Sequence, residues 1–352
     1  MAYDVTKVDK NFIVKDQIDK QDVKLYDVKQ TPFKVYGVEY LDECFRRLPE
    51  EVAKSVSEGV HAHHKHAAGG RVRFKTDSPY IAISAKLANA AKMPHFAFSG
   101  SIGMDLYVNE NGEERYVNSF IPKIDIKDEF VSVLNLPFSG IQEYTINLPL
   151  YSGIEELSIG VAETAKILEA EPYKYEKPIV FYGSSITQGG CASRPGNCYT
   201  SMVARRLNAN HINLGFSGNA RGEDEIAEYI AGLDMSVFVY DYDHNAPTLE
   251  HLEATHERMF KIIREKNPDL PVLFMSRPQY VWNGNITARY EIVKATYEKA
   301  KANGDNNVHF LGGKELSSAC KNEGSVDNCH PNDWGFACMA DAVYDVLKDV
   351  IK

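Results

Sequence analysis

Apolar and polar positions change their rhythm once along this chain, near residue 170. Before that point the period is two. Arg71-Val-Arg-Phe-Lys and Tyr144-Thr-Ile-Asn-Leu each set apolar side chains on one face and polar ones on the other, one face buried and one wet. Runs of this kind predict strands at 33–40, 71–76, 80–86, 104–109, 114–120, 130–136, 144–150 and 157–162, with Asn109-Glu-Asn-Gly112 turning between two of them. One helix interrupts them, with Pro49 as a first-turn residue. So many short strands with so little helix predict a β-sandwich of jelly-roll type. Residues 1 to 30 are polar and alternate weakly, and are expected to wrap an edge or stay loosely attached.

A charged, proline-containing stretch, Glu169-Ala-Glu-Pro-Tyr-Lys-Tyr-Glu-Lys-Pro178, marks the boundary. Domains are therefore expected at 1–170 and 171–352. Beyond it, short apolar strands at 179–182, 211–215, 236–241, 271–276 and 308–311 alternate with helices near 197–208, 223–232, 248–266, 287–303 and 333–351. The last helix carries Phe336, Met339, Val343 and Leu347 at helical spacing, after a cap at Asn332 or Asp333. Alternating βαβ units force a parallel sheet with right-handed crossovers, so the second domain is predicted to be an α/β, flavodoxin-like three-layer sandwich.

Composition narrows the function. The 352 residues are too many for one ordinary core, and 25% charged with 44% hydrophobic residues is a globular composition. The net charge of −10 and the lack of a basic stripe argue against nucleic acid and anionic membrane as partners. Neither a signal-peptide core nor a membrane-length apolar run is legible, so the expected location is cytoplasmic, a removed leader aside. The six cysteines include no Cys-x-x-Cys pair. Cys191 and Cys198 bracket one loop, and free thiols are expected there.

The chemistry gathers where strands end. Lys177-Pro-Ile-Val-Phe-Tyr-Gly-Ser-Ser185 is a buried strand broken at Gly183, which leaves Ser185 at the carboxyl edge of the sheet, where α/β folds place ligands. Asp327 and His330 lie three residues apart before the last helix, a spacing that lets a carboxylate hold Nδ1 and leaves Nε2 for a serine. Gly218 and Asn245 follow the second and third strands and are candidates for oxyanion donors, together with the Ser185 N–H. In order, these blocks resemble the SGNH (GDSL-like) hydrolase superfamily: Gly183-Ser-Ser185, Ser217-Gly-Asn219, Asp243-His-Asn245 and Asp327-Asn-Cys-His330. Two departures stand out. Ser184 replaces the usual aspartate before the nucleophile, and Asp243-His244 replaces the common glycines of the third block. Gly103-Met-Asp-Leu-Tyr107 looks like the Gly-x-Asp-Leu-Tyr signature of β-sandwich domains that precede such modules in two-domain bacterial hydrolases.

The resemblance implies a Ser185–His330–Asp327 triad, an acyl-enzyme, no cofactor, and a likeness to carbohydrate acetylesterases. The expected substrate is an acetylated oligosaccharide. A lipid or thioester acylhydrolase and a non-catalytic carbohydrate-binding protein remain as other readings, and self-association is left open. Trp334, Trp282, Arg194 and Asp105 are candidate substrate contacts. Three of them have a structural alternative: a helix staple for Trp334, a solvated loop for Arg194, and a structural strand or domain-interface role for Asp105. His61-Ala-His-His-Lys-His66 suggests a metal site at first sight. It is read instead as the solvated end of a helix, and no metal is expected.

Overall fold

The computed structural model describes residues 5–14, 16–281 and 283–352. Two antiparallel sheets form the first domain. One runs Val23–Asp27, Ile154–Ala162, Tyr80–Leu87, Glu129–Asn135. The other runs Ile167–Leu168, Arg71–Thr76, Gln142–Asn147, Met104–Glu110, Glu113–Phe120, with Lys34–Tyr36 also paired to Arg71–Thr76. Val72, Phe74, Leu106 and Ile146 of one sheet meet Ile81, Ile83, Ile159 and Val161 of the other in a closed core. The N-terminal arm contributes the edge strand Val23–Asp27.

The polar face of this second sheet is dry where it was expected to be wet. Arg71 and Arg73 are 3% and 1% exposed. The segment linking the domains covers them: Arg71 Nε donates to the Tyr173 hydroxyl at 2.7 Å, and Arg73 donates to the Glu171 carbonyl at 3.0 Å. Arg73 also pairs with Glu143 at 2.7 Å, so the charge buried on this face is matched. Alternation alone could not show that a second domain would shut this face.

The second domain is a five-stranded parallel sheet. Its spatial order places Ala209–Gly215 beside Tyr175–Gly183, followed by Val237–Asp241, Val272–Met275 and Val308–Leu311. Alternate strand residues feed two cores. Val180, Tyr182, Phe238, Tyr240 and Phe274 pack under the helices Asp224–Ala231, Leu249–Lys266 and Gly284–Ala302. Ile179, Phe181, Val239, Leu273 and Met275 pack under Tyr199–Leu207 and Asp333–Val350. The result is the three-layer α/β/α arrangement. No helix among the described residues is long and apolar enough to cross a membrane.

Between the first strands of the chain lies an insert that belongs by packing to the other domain. The hairpin Glu39–Leu41/Cys44–Arg46 leads into two helices, Glu50–Val56 and Glu58–His63. Ser57, in extended backbone, divides them, and its hydroxyl accepts the Val60 N–H at 3.2 Å. Leu48, Ala53, Val56 and Val60 join Leu214, Phe216, Ala220, Ile226 and Ile230 in one cluster. Burying Leu48, Val56 and Val60 there contributes roughly 1.5–3 kcal/mol per side chain.

This corrects the reading of the histidines. His64 and His66 are 0% and 8% exposed, at the seam between domains rather than in solvent. Burial pushes His63 and His64 down to about 4 and His66 well below its ordinary value, so all three are neutral donors and acceptors at neutral pH.

Candidate active site

Ser185 stands where the first strand of the parallel sheet ends. It opens a four-residue helix, Ser185–Gln188, whose cap is Ser184: the Ser184 hydroxyl accepts from the Ile186 N–H at 3.2 Å. The departure from aspartate therefore supplies a helix cap and leaves the next residue in place. Gly215, ending the neighbouring strand, lets this turn press close, since a Cβ there would sit 2.2 Å from the Gln188 nitrogen.

The Asp327–His330 turn is folded back on itself. Ser325 and Pro331 form an antiparallel bridge, and the Val326 N–H donates to the His330 carbonyl at 2.9 Å. His330 Nε2 lies 2.9 Å from Ser185 Oγ, and His330 Nδ1 lies 2.7 Å from Asp327 Oδ2. With Asp327 accepting the Nδ1 proton, Nε2 is free to accept from the serine hydroxyl. The other carboxylate oxygen accepts two backbone N–H groups, from His330 at 2.7 Å and Cys329 at 3.0 Å. Burial works to raise the Asp327 carboxyl, but these bonds outweigh it and hold it down at about 2. The carboxylate thus stays charged across the range in which esters are cleaved enzymatically.

Gly218 and Asn245 arrive on the loops that follow the two flanking strands. Gly218 has a φ of 70°, and a Cβ on it would meet nothing within 4 Å, so the backbone here borders open space. Asn245 uses its carbonyl oxygen to accept the Ala220 N–H at 3.4 Å, which joins the second and third loops. Among the described residues, the Ser185 N–H, the Gly218 N–H and the Asn245 amide N–H have no acceptor inside the protein. Free donors on the serine turn and on the loops after the two flanking strands are groups that could receive a developing oxyanion.

Several supporting residues escaped the sequence reading. Gln188 donates to the Leu150 carbonyl at 3.0 Å, meets His66 Nδ1 at 2.9 Å, and accepts the Ser217 N–H at 3.1 Å. One buried amide thereby ties the serine helix, the sandwich and the Gly218 loop together. In the third block, Asp243 meets His244 Nδ1 at 3.1 Å and accepts the Arg277 N–H at 3.2 Å. Arg277 in turn donates to the Asn328 carbonyl at 2.8 Å, so the residues replacing the usual glycines brace the Asn245 loop against the His330 loop. Asp333 was a candidate cap, but Asn332 takes that role by accepting the Gly335 N–H at 3.1 Å. Asp333 instead accepts from the Ser193 N–H and the Asn197 amide, both at 2.9 Å, and holds the loop after Ser185.

Two candidate substrate contacts are corrected. Asp105 is fully buried and cannot reach a substrate. Its carboxylate accepts Asn147 Nδ2 at 2.9 Å, Arg194 Nη1 at 3.0 Å and the Gly196 N–H at 2.8 Å. Arg194 is half-buried rather than a solvated loop residue, and its guanidinium is engaged: besides this ion pair it donates to the Tyr107 hydroxyl and lies 3.9 Å from the centroid of the Tyr116 ring. Aspartate and tyrosine of the Gly-x-Asp-Leu-Tyr segment are therefore a latch between the sandwich and the loop after Ser185. Trp334 stands 53% exposed in the first turn of the last helix, and Trp282 lies outside the described residues. Cys191 and Cys198 are free thiols, as expected.

Comparison with known proteins agrees with this geometry. Residues 176–348 match the GDSL-like lipase/acylhydrolase family, and residues 23–167 match the family described as the N-terminus of Esterase_SGNH_hydro-type proteins. No curated sequence matches the chain. Among solved structures, a candidate GDSL-like lipase from Bacteroides ovatus superposes with a TM-score of 0.84 at 27% identity, over 94% of this chain and 99% of that one. The salicylyl-acyltransferase SsfX3 from a tetracycline biosynthetic pathway gives 0.76 at 19% identity, over 94% and 98%. A family two carbohydrate esterase from Clostridium thermocellum, in complex with cellohexaose, gives 0.62 at 14% identity, over 90% and 98%. On the two family matches and the ordered site they coincide with, the chain belongs to the SGNH (GDSL-like) hydrolases, in the two-domain form with a Gly-x-Asp-Leu-Tyr N-terminal domain.

Proposed function

We propose that this protein is a serine esterase that removes small acyl groups, chiefly acetyl, from carbohydrate. The observation that carries the reading is the unbroken line from Ser185 Oγ through His330 to Asp327, at 2.9 and 2.7 Å. Ser185 attacks the ester carbonyl while His330 Nε2 takes its proton. The Ser185 and Gly218 N–H groups and the Asn245 amide receive the oxyanion, and His330 then passes its proton to the departing alcohol. Water, activated by His330, releases the acid from the acyl-enzyme. Asp327 keeps the imidazole in the tautomer that accepts from serine and stabilises it once charged.

Crowding on one side of Ser185 supports a small acyl group. A Cβ on Gly190 would lie 2.7 Å from the Tyr151 hydroxyl and 3.4 Å from His330 Cδ2, so the loop lies tight against both. The carbohydrate side of the proposal is supported by the fold shared with the cellohexaose-bound esterase.

The test is acetate release from acetylated oligosaccharides of several backbones, comparing the parent with Ser185→Ala. Release from one backbone, lost in the variant, supports both parts of the proposal. Cleavage of an aryl acetate alone, still sensitive to Ser185→Ala, keeps the triad and removes the carbohydrate. Cleavage of neither, with glycan binding retained, overturns the esterase reading.

A further inference from the structure

A third histidine stands over the triad, and it comes from the sandwich. His95 lies in the segment between two strands of the N-terminal domain. Its Nε2 is 4.0 Å from Asp327 Oδ2, and its ring centroid is 6.1 Å from that of His330. Beneath them is Cys191, in the loop after Ser185. One ligating atom from each of His95, Cys191 and His330 lies within 4.8 Å of the others. Two imidazoles and a thiol are the donor set that zinc selects over magnesium or calcium. At zinc–ligand distances of about 2.0–2.3 Å, tetrahedral donors sit roughly 3.5 Å apart, so closing this cluster on an ion takes movements of about 1 Å. His95 is exposed and can make that movement; Cys191 is held at the loop.

We infer that His95, Cys191 and His330 form an inhibitory site for zinc or a similarly soft divalent cation, with water or Asp327 as the fourth ligand. Occupancy and catalysis exclude one another for a simple reason. Both nitrogens of His330 are committed, Nε2 to Ser185 and Nδ1 to Asp327. A metal on either nitrogen removes the base from the serine or the ring from its orienting carboxylate. The Cys191 thiol gives up its proton when the ion binds, so zinc binds more tightly as pH rises. The cluster spans both domains, so a bound ion also clamps the sandwich to the catalytic loop.

The inhibition half of this inference rests on the esterase reading; the binding half does not, and the experiment separates them. Untagged protein is titrated with cobalt(II), whose bond to a thiolate gives a charge-transfer absorption. That band is expected in the parent and absent in Cys191→Ser. In parallel, hydrolysis of an aryl acetate is measured against buffered free zinc, each variant relative to its own metal-free rate. Inhibition reversed by a chelator is expected, with magnesium and calcium inert. His95→Ala and Cys191→Ser are each expected to raise the half-inhibiting zinc concentration at least tenfold. A cobalt band that survives Cys191→Ser but disappears in Cys329→Ser moves the site to the Asp327 turn and overturns the assignment. So does zinc inhibition equal in all variants. A protein with the cobalt band but no esterase activity keeps the metal site and sinks the esterase reading.

Discussion

Replacing Asp327 by asparagine changes one atom and asks the most of the geometry. In the native protein one carboxylate oxygen takes the His330 ring at 2.7 Å, and the other takes two backbone N–H groups at 2.7 and 3.0 Å. Every partner is a donor. An amide must turn its own N–H2 towards one side. Facing the ring, it makes Nδ1 an acceptor and sends the ring proton to Nε2, where it confronts the serine hydroxyl and the base is lost. Facing the backbone, it sets donor against donor at an exposed turn, where water takes up part of the cost. In a serine protease triad the same change leaves the structure intact and lowers kcat about 10⁴-fold. At about 1.36 kcal/mol per tenfold, the expected loss here is ~5.4 kcal/mol of transition-state stabilisation. Asp327→Ala frees the ring to choose its tautomer and is expected to be no worse than Asp327→Asn. The assay is the initial rate on an aryl acetate at neutral pH, with the melting temperature checked for each variant. If Asp327→Asn kept more than about a tenth of the parent kcat while folded, His330 would not owe its tautomer to Asp327, and the argument would fail.

Three further outcomes follow from the same contacts. Asn245→Ala removes the amide proposed to receive the oxyanion and is expected to lower kcat about 10²–10³-fold with little change in KM, measured by steady-state kinetics; a change confined to KM would place the amide on the ground-state substrate instead. The buried histidines set an acid limit. Unfolded, His63 and His64 take up protons near pH 6.5, whereas the folded seam refuses them until about 4, so stability is full above 6.5 and falls through that window. By pH 5 this amounts to about 1–2 kcal/mol per histidine, visible as a falling melting temperature, and a flat profile from pH 7 to 5 would refute it. Asp105→Ala leaves Arg194 and the Gly196 N–H facing a buried gap and is expected to cost about 3–5 kcal/mol in urea unfolding, against less than 1 kcal/mol if the ion pair were a surface one.

That Ser185, Asp327 and His330 would meet was legible because they border regular elements whose order is fixed by βαβ handedness: one at the end of the first strand, two before the last helix. The parallel strands were found for the same reason, as short apolar runs between turn residues. What sequence could not show were contacts between buried polar groups far apart in the chain. Nothing about Gln188 signals that it will bridge Leu150, His66 and Ser217. Asp105 and Arg194 each look available for a sugar until both are seen spent on one another. The histidine run misled because solvent was assumed at a helix end that abuts a second domain. The alternating strand Arg71–Thr76 carried the same ambiguity: a polar face can be wet, or it can be closed by paired charges.

The insert that lends Leu48, Val56 and Val60 to the other domain's core makes the linker a poor place to cut. A hydrolase module excised at residue 171 would carry an apolar scar along the helix Asp224–Ala231, and its transplant to another sandwich would fail unless residues 39–66 travelled with it. During synthesis those helices emerge long before the sheet that receives them, so they must wait for the C-terminal half with their apolar face uncovered. The two halves match separate sequence families, yet the shared cluster makes them one piece for folding and for any redesign.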